Sequence, residues 1–205
     1  MGITHGWLLS RHHDVSWLVR GDRADFYGEP FELRVHDLRP GRRDTTATVS
    51  LKLVTSIAPD LYDAVLVMVP GRSLADVLPV LDGAGTDVPV VLMLNHWNLA
   101  GALGGSSEPR ANRLLGFPSQ VGGGRHGHRL SVTVFPRGTV LEAGTASKKA
   151  ALDKAEALLA SGDSPFAASA VCPTGSPCTA CSRPSPPRRS SRRGAIARSP
   201  RIGRP

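Results

Sequence analysis

One stretch of the chain decides the fold: residues 63–94 read DAVLVMVPGRSLADVLPVLDGAGTDVPVVLML. Its two ends, 63–69 and 88–94, are short and almost continuously apolar, which is typical of parallel strands that are buried on both faces. Between them, residues 73–81 place apolar side chains at i, i+3, i+4 and i+7, counted from Leu74, and these positions share one helical face. This order of strand, helix and strand predicts a right-handed βαβ unit.

The sequence on either side of this unit predicts a larger α/β sheet with antiparallel additions. The elements predicted there are a helix at 2–10, a strand at 13–19, two half-exposed strands at 31–35 and 48–54, a hairpin at 130–135 and 138–142, and an amphipathic helix at 147–159. Residues 122–128 are rich in glycine and are interpreted as a flexible, solvated loop.

The net charge of +8 comes from the last part of the chain. Residues 164–205 hold eight of the 25 basic residues and no acidic residue, so the first 163 residues carry 17 of each sign. This tail also holds all three cysteines and eight of the 17 prolines, without helical or strand periodicity. Such a composition cannot bury enough apolar area to offset the entropy of ordering, so the tail is predicted to be disordered.

The tail has a second interpretation, because a mixture of arginine, proline, serine and alanine also results when GC-rich DNA is read out of frame. We therefore hypothesise that the biological frame is lost shortly after Phe166. The pair Cys178 and Cys181 is a lone C-x-x-C with one further cysteine, and zinc usually takes four ligands, so no metal site is predicted.

The composition also narrows the function classes. The apolar runs are far shorter than the roughly 18 residues of a membrane span, and no apolar signal segment opens the chain, which favours a cytoplasmic protein. The neutral charge of residues 1–163 argues against nucleic acid as the partner. A basic tail that contacts nucleic acid or acidic partners stays as an alternative.

Six stretches, with their order and spacing, resemble a known family. They are 2–10, 13–20, 62–69, 73–79, 90–95 and 115–118. Together they are similar to the NADP-binding domain of the ketopantoate reductase (2-dehydropantoate 2-reductase) family. The resemblance implies a Rossmann-like, mostly parallel sheet over residues 1–145, a helix over 146–163 and the tail at 164–205. Another Rossmann dehydrogenase, of the hydroxyacyl or sugar-acid type, would share the domain but usually not the Leu-Gly-Phe-Pro run at 115–118.

In the register of this family, Gly2 falls on the third glycine of the phosphate-binding fingerprint G-x-G-x-x-G. The first strand and the first two glycines would then lie ahead of Met1, so the sheet is expected to lack its first strand, with a gap beside residues 14–19.

The resemblance assigns NADP as the cofactor and places three further residues near it. Arg20 ends the second strand, where an arginine suits the 2′-phosphate of NADP, and Arg23 follows three residues later. Arg20 has an alternative role as a solvated charge that closes a strand. Asn95 matches a family asparagine near the nicotinamide and the substrate, and its alternative role is to cap the next segment.

The activity that the resemblance implies is the NADPH-dependent reduction of a small 2-keto acid to a 2-hydroxy acid, a reaction type of pantothenate biosynthesis. The catalytic lysine of the family belongs to a helical second domain that has no counterpart here, so no catalytic residue is assigned and the chain is expected to be inactive on its own.

The predicted helix at the end of this unit carries three lysines that are expected on its solvated face, Lys148, Lys149 and Lys154. A homodimer of a complete enzyme is compatible with the resemblance, and a non-catalytic nucleotide-binding or interaction module is the alternative function.

Overall fold

The computed structural model describes residues 1–58, 61–94, 110–142, 145–162 and 166–168. Its α-helices are α1 (Gly2–Leu9), α2 (Ala24–Gly28), α3 (Leu74–Leu81) and α4 (Lys149–Ser161). Its strands are β1 (Trp17–Leu18), β2 (Phe31–Asp37), β3 (Thr45–Val49), β4 (Leu53–Val54), β5 (Val65–Val67), β6 (Val90–Met93), β7 (Arg113–Phe117), β8 (Val121–His126), β9 (Arg129–Val134), β10 (Thr139–Leu141) and β11 (Phe166–Ala168). None of the helices in these residues combines the length and the apolar content that a membrane crossing needs.

The predicted βαβ unit is confirmed and forms the centre of a five-stranded sheet in the order β11-β10-β7-β6-β5. Strands β5, β6 and β7 are parallel, and β10 joins β7 as an antiparallel neighbour. Successive residues of β6 point to opposite faces. Val90 and Leu92 pack against α3, whereas Val91 and Met93 pack against α4, which explains why this strand is apolar at every position.

A second, four-stranded sheet has the order β3-β2-β9-β8 and packs against α1. Ile3 and Leu8 of α1 belong to the same buried cluster as Phe31, Leu33 and Val35 of β2. The alternating pattern that predicted antiparallel pairing at 31–35 is confirmed, since β2 pairs antiparallel with β3. The predicted strand at 48–54 is divided in the structure, because its end forms β4 in another sheet.

The predicted hairpin of 130–135 with 138–142 is wrong. Strand β9 pairs with β2 and β8, whereas β10 pairs with β7 in the five-stranded sheet. The glycine-rich residues 122–128 are not a loop either, because they form β8 and its turn into β9. Gly127 occupies that turn at a φ of +57°, and a Cβ on Gly123 would overlap Ser131 O of the partner strand, so both positions favour glycine.

The predicted gap beside residues 14–19 is present. Within the described residues, β1 pairs only with β4, in parallel, and this two-stranded piece has no ladder to the five-stranded sheet. The chain therefore has a Rossmann-like α/β fold without its first strand. Residues 166–168, at the start of the predicted tail, form β11 and pair with β10. The rest of the tail lies outside the described residues.

Candidate functional site

The site that the sequence places at Gly2 lies where α1 meets the carboxyl end of β5. A Cβ added to Gly2 would lie 3.8 Å from the Cβ of Met68, the residue that follows β5. Among the described residues no side chain caps α1, and the first turn of this helix contains no acidic residue. The first-turn N–H groups are thus available for an anion, toward which the helix dipole is also favourable.

The packing of α1 on β1 fixes the direction of this helix end. Gly6 lies against the indole of Trp17, since a Cβ on Gly6 would be 2.6 Å from its Cζ2 atom. Only glycine allows the helix backbone to approach the ring so closely. From Trp17 the chain continues through β1 to Arg20, the second predicted site residue. The contact between Gly6 and Trp17 therefore also positions the strand that leads to Arg20.

Arg20 and Arg23 lie close to each other, on either side of one acidic residue. The Nε of Arg20 is 3.5 Å from Asp22 Oδ1, and the Nε of Arg23 is 3.9 Å from Asp22 Oδ2. A single 3₁₀ turn, Gly21–Arg23, holds the three side chains in this arrangement. The two arginine side chains are 72% and 58% exposed, so both guanidinium groups can contact a ligand from solvent.

The sequence analysis missed a third basic residue. The guanidinium carbon of Arg125 lies 5.1 Å from the ring centroid of Phe26 and 6.0 Å from that of Tyr27. Burial lowers the pKa of the Met1 amino group, and the positive charge of Arg125 lowers that pKa further. Arg125 therefore lies over the aromatic rings of α2. It was missed because the glycine-rich stretch that carries it was interpreted as a loop.

Asn95, the residue expected near the nicotinamide, lies outside the described residues. Its predecessor Leu94 is buried and donates its N–H to the carbonyl of Gly116, at 3.3 Å. The strand that would present Asn95 is thus in place, and the role of Asn95 stays a prediction.

The expectation of a solvated face is wrong for Lys148. Its Nζ lies 2.7 Å from Oε1 of Glu142, and the two side chains are only 10% and 16% exposed. The same Glu142 oxygen accepts the N–H of Leu115 at 2.9 Å. Lys149 and Lys154 are exposed as expected. Lys148 thus joins the start of α4 to the edge of β7 and has a structural role.

Comparisons with solved structures support the fold. A 2-dehydropantoate 2-reductase from Geobacter metallireducens superposes with a TM-score of 0.61 at 16% identity, covering 82% of this chain and 54% of that one. A ketopantoate reductase from Ralstonia eutropha JMP134 gives 0.56 at 18% identity, covering 80% and 52%. The fold is shared with the ketopantoate reductases.

A D-mandelate dehydrogenase, solved with NADH and anilino(oxo)acetate, matches equally well. Its TM-score is 0.60 at 17% identity, and the match covers 83% of this chain and 54% of that one. The chain thus spans about half the length of the structures it matches. No protein-family model and no curated protein matches the sequence.

Proposed function

We propose that this chain is the NADP-binding part of an NADPH-dependent oxidoreductase that resembles ketopantoate reductase and reduces a small 2-keto acid. One observation carries the proposal. In a fold shared with such reductases, α1 begins uncapped at the carboxyl end of β5, and two exposed arginines follow β1. Residues 1–145 would form the nucleotide-binding unit, 146–163 the helix that covers its sheet, and 164–205 a tail without a part in the site.

The groups present at the site suit a dinucleotide phosphate. The N–H groups in the first turn of α1 would hold the pyrophosphate, because no described side chain caps this positive end of the helix. Arg20 and Arg23 would hold the 2′-phosphate, for which guanidinium groups are better ligands than ammonium groups. Asn95 would lie beside the nicotinamide.

The choice between NADP and NAD depends on Asp22. A free carboxylate at the end of this strand would accept a hydrogen bond from the ribose 2′-hydroxyl of NAD. Here the Nε atoms of Arg20 and Arg23 lie 3.5 and 3.9 Å from the two oxygens of that carboxylate. The net positive charge of the three side chains therefore favours the phosphate of NADP.

The nicotinamide supplies the hydride in such a reaction, and the residues of this chain would bind and orient the cofactor. We assign no catalytic acid to the described residues. Lys148, the most buried of their lysines, already donates to Glu142 and has a structural role.

Thermal unfolding of the full chain with added nucleotides tests the proposal. We expect NADPH at about one hundred times its Kd to stabilise the fold by about 2.7 kcal/mol, and NADH at the same concentration to stabilise it less. Duplex DNA is the comparison ligand. A rise in Tm with DNA and none with either nucleotide would favour the alternative, an interaction module with a basic tail, and would overturn the proposal.

A further inference from the structure

Strand β8 forms one edge of the four-stranded sheet, and its outer side is open as far as the described residues show. Beside β8, in the same antiparallel ladder with β9, the N–H of Phe135 donates to Gln120 O at 2.7 Å. Backbone groups of alternate residues face the same side of a strand, so those of Gly124 also face β9. The N–H and C=O groups of Gly123 and Arg125 therefore point away from the sheet.

This open edge is accessible to a second strand. Gly123, Gly124 and Arg125 are exposed, and β8 contains neither proline nor lysine, two residues that often block the edge of a sheet. The long side chain of Arg125 lies over the ring of Phe26, with its guanidinium carbon 5.1 Å from the ring centroid. Arg125 is thus held against its own chain and leaves the backbone of the edge free to pair.

Three consecutive glycines, residues 122–124, form the middle of β8, although glycine weakens a strand. Contacts within the fold explain two of them. A Cβ on Gly123 would overlap Ser131 O, and a Cβ on Gly122 would lie 3.1 Å from Cε2 of Phe135. A Cβ on Gly124 would meet no atom within 4 Å. Glycine inside a strand often marks the close approach of another backbone, so Gly124 indicates a neighbour that the described residues do not supply.

We propose that β8 pairs antiparallel with β8 of a second copy of this chain, with the two-fold axis at Gly124. Gly123 and Arg125 flank this residue symmetrically, so Gly123 of each copy lies opposite Arg125 of the other, and about four backbone hydrogen bonds form. The two Gly124 residues face each other as a non-hydrogen-bonded pair, in which the Cα atoms approach to about 4.5 Å. The pairing joins the two four-stranded sheets into one continuous sheet.

The symmetry and the charge of β8 argue for a second copy as the occupant. In this register each Arg125 lies opposite a glycine, so no two like charges are directly opposed. Its guanidinium already lies over Phe26 and Tyr27 and needs no carboxylate from a partner. An acidic strand of another protein is the competing occupant. The inference concerns the edge of β8 and does not depend on cofactor binding.

Disulfide cross-linking of the full chain tests the proposal. Cys172, Cys178 and Cys181 are changed to serine, and one cysteine is introduced by Gly124→Cys or, as the control, by Gly28→Cys. At both glycines an added Cβ meets nothing within 4 Å. Strand positions that face each other suit the Cα separation of a disulfide, roughly 4.4 to 6.8 Å. In a glutathione redox buffer we expect Gly124→Cys to form a covalent dimer about tenfold faster or more than Gly28→Cys.

Hydrogen exchange at two protein concentrations is the second measurement. A pairing of this size is weak, so the chain is compared at about 10 µM and at about 500 µM. We expect the amides of Gly123 and Arg125 to exchange about threefold or more slowly at the higher concentration. The amide of Gly124, which faces β9, should change much less. In Gly124→Lys two ammonium groups would meet at the axis, so the concentration dependence should disappear.

Three results would overturn the proposal. One is equal cross-linking of Gly124→Cys and Gly28→Cys. Another is exchange at Gly123 and Arg125 that does not depend on concentration, in a chain that still protects Leu33 of β2 and is therefore folded. The third is protection of these amides only after an acidic peptide, Asp-Val-Glu-Val-Asp, is added, which would assign the edge to a different partner.

Discussion

The indole of Trp17 lies so close to the backbone of Gly6 that an added Cβ would be 2.6 Å from Cζ2, 2.8 Å from Cε2 and 2.8 Å from Nε1. All three atoms belong to a rigid ring, so the contact cannot be relieved by the flexible end of a side chain. This contact holds α1 against β1 and so determines where the first turn of the helix, the proposed phosphate site, lies.

We predict that Gly6→Ala destabilises the chain by about 2 kcal/mol, even though alanine gains up to about 1 kcal/mol in helix propensity. The loss corresponds to a fall in Tm of roughly 4 to 8 °C in thermal unfolding. Gly28→Ala in α2 is the control, because nothing lies within 4 Å of its added Cβ. A Gly6→Ala chain as stable as the wild type would show that the contact does not exist in solution.

The buried pair of Lys148 and Glu142 gives a second prediction. Lys148→Met should lower the free energy of unfolding by about 3 kcal/mol, because the carboxylate of Glu142 is left buried without its cation. Lys149→Met removes an exposed lysine that pairs with Asp153 at 2.8 Å, and should have little effect on urea unfolding because water screens this pair. Equal losses for the two variants would contradict a buried role for Lys148.

His5 makes stability depend on pH. Burial is the main cause that lowers its pKa from 6.5 to about 4, the Met1 amino group lowers it further, and the hydrogen bond to the Met1 carbonyl opposes the shift. The unfolded chain thus binds a proton that the folded chain rejects between about pH 6.5 and pH 4. Stability contributed by neutral His5 is present above this window and is lost as the pH falls through it.

We therefore expect the free energy of unfolding to fall by about 3 kcal/mol between pH 7 and pH 4 through His5 alone. In His5→Leu this part of the pH dependence should disappear. His126→Gln, which changes an exposed histidine, should keep it. The measurement is urea unfolding of the three chains at both pH values. An equal loss of unfolding free energy in His5→Leu and in the wild type would contradict the prediction.

The core of the fold was predictable from sequence because its signals are local. Buried parallel strands give continuous apolar runs, and a helix that packs on one side gives a single apolar face, so the βαβ unit at 63–94 was predicted correctly. The missing ladder beside β1 followed from where the resemblance placed Gly2. These features depend on residue order alone.

The errors arose where contacts between residues far apart in the sequence determine strand pairing and side-chain burial. The sequence predicted a strand at 130–135 but could not show that this strand pairs with β2 and β8. Glycines disfavour strands, yet β8 forms because its partner strand supplies the hydrogen bonds. Lys148 is a typical surface residue, and only the tertiary position of Glu142 makes its burial favourable.

Three of the four candidate site residues have a local signal in the sequence, a predicted helix start at Gly2 and an arginine pair, Arg20 and Arg23, at the end of a predicted strand. The structure places Arg20 and Arg23 at the surface around Asp22. The position of Arg125 over the rings of Phe26 and Tyr27 depends on β8 and could not be derived from spacing. Asn95 stays a prediction.

The most direct test of the account is the ratio of the dissociation constants for NADH and NADPH, measured by calorimetry on the full chain, on Arg20→Ala and on Arg34→Ala. Arg34 is an exposed arginine of β2 that pairs with Glu32, at 2.9 Å, and it serves as the control. We predict that NADPH binds the wild type and Arg34→Ala at least about tenfold more tightly than NADH, and that Arg20→Ala loses most of this preference. Equal affinities in the wild type, or an unchanged ratio in Arg20→Ala, would contradict the assignment of Arg20 to the 2′-phosphate.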